Sequence, residues 1–127
     1  MSLRRGQVIA TRRHGAGVVW SSDKSGTVIV PIGGYNGPPP HRAEVRIENP
    51  MEQMACGVSF KYPVARCHLL FRIQSSEMGL FDIVGSVPAA LLARIVQTVI
   101  REAETQAAEN RLFLRPDRGP VLVVVAA

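Results

Sequence analysis

Three histidines in this chain stand beside arginines: His14 follows Arg12 and Arg13, His41 precedes Arg42, and His68 comes two residues after Arg66. Such pairs suit metal-free cleavage of a phosphodiester. A guanidinium stabilises the charge that develops around phosphorus, and an imidazole moves the proton of a 2′-hydroxyl or of the leaving oxygen. Three histidines near arginines also arise readily on an ordinary surface, so the pairs by themselves do not select one centre. Other chemistries are excluded more firmly. The chain carries no phosphate-binding Walker loop, no Gly-rich dinucleotide fingerprint, no nucleophile elbow and no paired carboxylates at a useful spacing. Cys56 and Cys67 are eleven apart, with no second Cys or His pair to complete a zinc set, so no metal and no cofactor are expected. Two reduced, partly buried thiols are the simpler reading.

Charge points the same way as the histidines. Residues 1–72 hold ten Lys+Arg against four Asp+Glu, whereas residues 73–127 hold five against six. Thirteen of the fifteen bases are Arg, whose planar fork grips phosphate. A basic half joined to a near-neutral half suggests an anionic partner, nucleic acid or an acidic protein segment; the codon bias of a GC-rich genome would leave the same arginine excess. The length of 127 residues and the 46% hydrophobic content fit one globular domain. No apolar run approaches the roughly 20 residues of a membrane-spanning helix, and none follows the basic N-terminus as a signal peptide would. The expectation is a cytoplasmic protein with no membrane partner.

The elements that must position these residues read as short strands and one helix. Residues 7–11, 18–21 and 27–32 have strand composition, the last a continuous apolar run suited to burial on both faces. Asp23-Lys24-Ser25-Gly26 reads as the turn between the second and third. Residues 33–41 are rich in Gly and Pro, a loop. Residues 43–47 alternate as a half-exposed strand, which Asn49-Pro50 breaks; residues 57–60 and 65–73 read as two more strands about a bend at Tyr62-Pro63. Ser86 as N-cap and Pro88 in the first turn open a helix over about 88–109. Its apolar stripe is Leu91, Leu92, Ile95, Val96, Val99, Ile100 and Ala103, with Arg94, Gln97, Arg101, Glu102 and Glu104 on the opposite side. In residues 111–127 a turn precedes a strand-like run at 121–125, which could add an edge strand or pair with another chain. The expected architecture is one domain over residues 4–110 with a tail at 111–127.

The order of these elements resembles the MazF/PemK/Kid toxins of type II toxin–antitoxin systems. Gly26-Thr-Val-Ile-Val-Pro-Ile32 is similar to that family's third strand, and Val64-Ala-Arg-Cys-His68 to its Val-Val-Arg-Cys-Asp segment. Val84-Gly-Ser-Val-Pro88 with Leu91-Leu-Ala-Arg-Ile95 resembles the entry to its last helix, and Arg5-Gly-Gln-Val8 its opening. The likeness covers residues 4–104. It implies a mainly β fold, a small SH3-like barrel with a C-terminal helix, and a homodimer. It also implies metal-independent cleavage of single-stranded RNA and an acidic antitoxin peptide as partner. The departures fall at the site. Gly33 stands where the active family has a hydroxyl, Gly15 where it has an Arg, His68 where it has an Asp, and Phe71-Arg72 where it has Arg-Thr. An active centre would therefore be rebuilt from Arg12 or Arg13, stabilising the transition state, and His14 or His68, moving the proton. Arg5, Lys24, Tyr35, Arg42 and Arg66 would contact nucleic acid. Trp20 reads as core or as a stacking surface, and Tyr35 as a stacking surface or a loop anchor. The competing reading is a non-catalytic protein-binding module, CcdB-like or a degenerate toxin, which Gly33 favours.

Overall fold

The computed structural model describes residues 3–11, 13, 15–35, 41–59 and 61–112, with side chains as far as residue 110. The apolar runs and turns of the first third build a meander. Strand β1 (Gln7–Thr11) pairs antiparallel with β2 (Gly15–Asp23), and β2 with β3 (Gly26–Gly34). The β2–β3 turn forms because Asp23 Oδ1 accepts from the amides of Ser25, 2.8 Å, and Gly26, 3.2 Å, and from Ser25 Oγ, 2.7 Å. Strand β3 is the centre of the sheet. Its far edge is shared by two short strands, β5 (Pro63–Arg66) along Ile32–Gly34 and β6 (Phe71–Gln74) along Gly26–Ile29. Strand β4 (Glu44–Arg46) pairs with β5 and forms one sheet edge; β7 (Asp82–Ser86) pairs with β1 and forms the other. The fold is thus mainly β, seven antiparallel strands in an open sheet with a C-terminal helix.

Two apolar layers hold the sheet. One face carries Val8, Val18, Trp20, Val28, Val30, Ile32, Val45 and Ala65 beneath helix α2 (Ala89–Leu112). Leu91, Ile95 and Val99, each fully buried, form the contact stripe of α2, at about 1.5–3 kcal/mol apiece. The opposite face buries Ile9, Val19, Ile29, Ile73 and Phe81, with Met78 of a 3-10 turn (Ser75–Leu80) packed against them. None of the described helices is long and apolar enough to cross a membrane.

Several local expectations are overturned. Residues 50–56 form a helix, α1 (Pro50–Cys56). Asn49 Oδ1 caps it by accepting from Met51 N–H at 2.8 Å, Pro50 sits in the first turn, and Gly57 closes it at φ +69°. The Asn-Pro pair that ends a strand is also what starts a helix. Residues 57–59 are not a strand. The run 65–73 is split by a turn at Cys67-His68. Ser86 ends β7 rather than capping α2, whose first turn closes by Leu92 N–H donating to Pro88 O at 2.9 Å. On α2 itself, Ile100 is 46% exposed while Glu102, expected on the polar side, is 3% exposed.

Candidate functional site

The polar side chains of greatest interest gather where β4 and β5 border the Gly33 end of β3. Gly33 faces Val64 in the ladder, and the space a Cβ would take is filled by the Arg66 guanidinium. Arg66 therefore lies flat on the strand, its Nη2 donating to Gly34 O at 2.8 Å. Its Nε and Nη1 have no partner among the described residues, which leaves a cation with spare donors, half-buried beside a backbone without side chains. Tyr35 continues the strand end. Its amide donates to Tyr62 O at 2.9 Å, and the Arg46 guanidinium sits 4.8 Å over its ring.

Directly after Arg66, at the end of β5, the Cys67-His68 turn brings His68 against His41. The two rings stack at 3.7 Å between centroids and 9° between planes. His41 Nδ1 accepts the Ala43 amide at 3.0 Å, so that nitrogen carries no proton and Nε2 holds the exchangeable one. His68 Nδ1 is buried without a hydrogen-bond partner. Burial lowers the His68 pKa, His41 and Arg66 lower it further, and Glu102 and Glu44 oppose them. His68 is therefore held as the neutral imidazole, a proton acceptor.

An ion cluster around the buried Glu102 anchors this stack to the helix. Arg42 Nε donates to Glu102 Oε1 and Oε2 at 3.0 and 2.9 Å, and Nη2 to Oε1 at 2.8 Å; Nη1 reaches Glu109 Oε1 at 2.8 Å. The hydrogen bonds from Arg42 hold the Glu102 carboxyl below its usual range against the opposing cost of burial. Arg42 thereby commits its donors to two carboxylates of α2, and its neighbour His41 is set in place over His68.

The other sequence candidates lie apart from this group. Arg5 donates through Nε to Trp20 O at 2.8 Å and rests 4.2 Å over the indole, whose ring is core. Lys24 lies in the β2–β3 turn, at the opposite end of β3 from Gly33, which is roughly 23 Å from Gly26 along an extended strand. Arg13 is exposed in the β1–β2 turn, and the register Ala16↔Ile32 puts that turn at the Gly33 end. Arg12 and His14 lie outside the described residues. The structure thus sets His68 against His41, next to Arg42 and two residues after Arg66; Tyr35 lies at the Tyr62 end of β5, and Arg5 and Lys24 lie elsewhere. Sequence reasoning named His41 without joining it to His68, and it placed Glu102 on the polar face of the helix, away from any site. Only the helical offset from Leu91, Ile95 and Val99 hinted that position 102 faces inward.

Neither thiol joins the chemistry. Cys56 and Cys67 are buried and unpaired, and burial pushes the Cys67 thiol up to about 12, so it stays protonated. Among the described residues no group of three or more His, Cys, Asp or Glu is placed to hold a metal ion. No protein-family model matches the chain, and no curated protein matches it.

Proposed function

We propose that the chain is a toxin-like, metal-independent endoribonuclease acting on single-stranded RNA, working from the His41–His68–Arg66 group. The observation that carries this reading is a neutral histidine, desolvated and fixed by a stacked second ring, two residues from an arginine with free donors. In the proposed reaction His68 removes the 2′-hydroxyl proton as that oxygen bonds to the adjacent phosphorus. The bond from phosphorus to the 5′ oxygen breaks, and His68 returns the proton to it, leaving a 2′,3′-cyclic phosphate and a 5′-hydroxyl. Arg66 neutralises the phosphoryl oxygens at the transition state. Tyr35 offers a face for a base, and Arg13 a further phosphate contact. The small SH3-like barrel, the homodimer and the acidic antitoxin partner belong to the same reading, supported by the strand order and the basic N-terminal residues.

The test is cleavage of a long single-stranded RNA by the full chain in excess EDTA, beside Arg66→Ala and His68→Gln. Discrete products, lost in both variants, are expected. No cleavage by the folded chain would overturn the enzyme and leave a non-catalytic protein-binding module, the reading that Gly33 in place of a hydroxyl-bearing residue favours.

A further inference from the structure

Among the described residues Tyr62 alone holds a left-handed backbone without being glycine. Its φ is +52°, and Pro63 follows it. A bulky residue rarely enters that region, and the residue before a proline is driven toward extended conformations instead. Glycine would make the same turn without penalty. The turn itself is fixed by the sheet. Tyr62 O accepts the Tyr35 amide at 2.9 Å, and Pro63 opens β5 opposite Gly34. The Lys61 carbonyl comes down on that glycine, 3.3 Å from where a Cβ would stand.

Packing does not offset that cost. Tyr62 is 66% exposed and belongs to neither apolar layer. A lone exposed ring is ordinary on a protein surface. What sets this one apart is a backbone strained beneath a side chain that buries little, and strain of this kind gathers where a ligand is held. The groups around the ring indicate which ligand. Lys61 Nζ lies 5.6 Å from the Tyr62 ring centroid, and the Arg46 guanidinium 4.8 Å over the ring of neighbouring Tyr35. Rings with cations beside them form a track for a single strand, in which the ring takes the face of a base and the cations take phosphates. An acidic peptide would use the cations and leave the rings idle.

One peptide unit joins this turn to Arg66. The Gly34 carbonyl accepts from Arg66 Nη2 at 2.8 Å, and the Tyr35 amide, the other side of the same peptide, donates to Tyr62 O at 2.9 Å. Arg66 Nη2 and Tyr62 O therefore lie within about 8 Å of each other. A strand whose phosphate meets Arg66 thus carries its bases past the Lys61-Tyr62 turn.

We propose that Tyr62 is a binding residue on whose ring an unpaired base of single-stranded RNA stacks, beside the phosphate that Arg66 holds. The inference rests on the RNA-binding part of the reading above and not on cleavage. The probe is a fluorescent 2′-O-methyl RNA oligomer, which has no 2′-hydroxyl to attack phosphorus. It is titrated with the full chain by anisotropy, beside an abasic oligomer of the same length. Tyr62→Asn removes the ring and leaves a residue that tolerates the left-handed turn, so its urea midpoint is expected to match or exceed that of the unaltered chain. This variant is expected to bind the RNA about tenfold more weakly and the abasic oligomer equally well, while Tyr62→Phe binds both as the unaltered chain does. Equal RNA affinity in Tyr62→Asn overturns the proposal. So does an equal loss on the abasic oligomer, which would make the ring a part of the loop only. In the unaltered chain the Tyr62 ring protons are expected to move upfield as the RNA binds; ring protons that stay in place overturn the proposal whether or not the variant folds. RNA bound by the unaltered chain but never cut overturns the nuclease and leaves the stacking residue standing, whereas no binding overturns both.

Discussion

The two ends of strand β3 are built from similar parts and put them to different use. At the Gly26 end, Arg72 of β6 donates to Ser25 Oγ at 2.8 Å and meets Asp23 at 3.5 Å, and Asp23 holds the turn amides. Arginine, carboxylate, hydroxyl and amides satisfy one another there. At the Gly33 end, Arg66 of β5 makes one hydrogen bond to a carbonyl and retains donors, two residues before His68, which is half-buried under the exposed His41 ring. The lesson is that an arginine's neighbours, not its presence, decide whether it is structure or site. A glycine at each end marks the distinction. At Gly26 a Cβ would strike the Ile73 carbonyl, a rigid backbone atom, at φ +156°; at Gly33 it would strike only the tip of the Arg66 side chain.

Substitution at the two glycines gives the largest contrast. Gly26→Ala is expected to cost roughly 2–4 kcal/mol, read as a lower urea midpoint. Gly33→Ala is expected to change stability by less than about 1 kcal/mol, because the guanidinium can swing away. If Arg66 holds a phosphate as proposed, the same swing removes that contact, and affinity for single-stranded RNA should fall about tenfold. Undiminished RNA binding by Gly33→Ala would sink the comparison. The arginines sharpen it next. Arg66→Ala should weaken RNA binding and reduce the salt dependence by about one counterion, whereas Arg72→Ala should leave both unaltered.

A smaller effect concerns pH. The folded protein lowers the His68 pKa from 6.5, so the unfolded chain binds more protons between the two values. Stability then rises with pH across that window and is lost as the pH falls below about 6.5. His68→Asn should flatten that slope when unfolding midpoints are compared between about pH 7 and 5; an unchanged slope would assign the dependence to another group. The smallest effect is on the melting temperature of Arg72→Ala, expected to move by less than about 2 °C because the Asp23 side of the pair is exposed and the contact is long, 3.5 Å.

How much of this was legible differs by residue. Strands β1 and β3 announced themselves by composition, and α2 by its 3.6-residue stripe, because apolar periodicity reports burial directly. Helix α1 was misread because Asn49-Pro50 is both a strand breaker and a cap with proline in the first turn. Nothing local favours one meaning until Gly57 and Gly85 are seen to let the end of α1 approach β7, where a Cβ on either would meet the other's backbone. The candidate site was legible as residue types only. Arg66 and His68 were flagged by two-residue spacing, while Arg5 looked equivalent to Arg66 until Trp20 was found beneath it.

By itself the sequence determined the apolar faces, the turn at Asp23-Lys24-Ser25-Gly26, the long helix and the surplus of arginine in the first 72 residues. These follow from propensities and periods that act over a few residues. Tertiary structure alone decided that His41 stacks on His68 across 27 positions, that Glu102 is drawn inward to meet Arg42, and that Gly33 makes room for Arg66. Each of these depends on desolvation and on partners distant in the chain, and burial determines which charged groups are paired and which remain free to act.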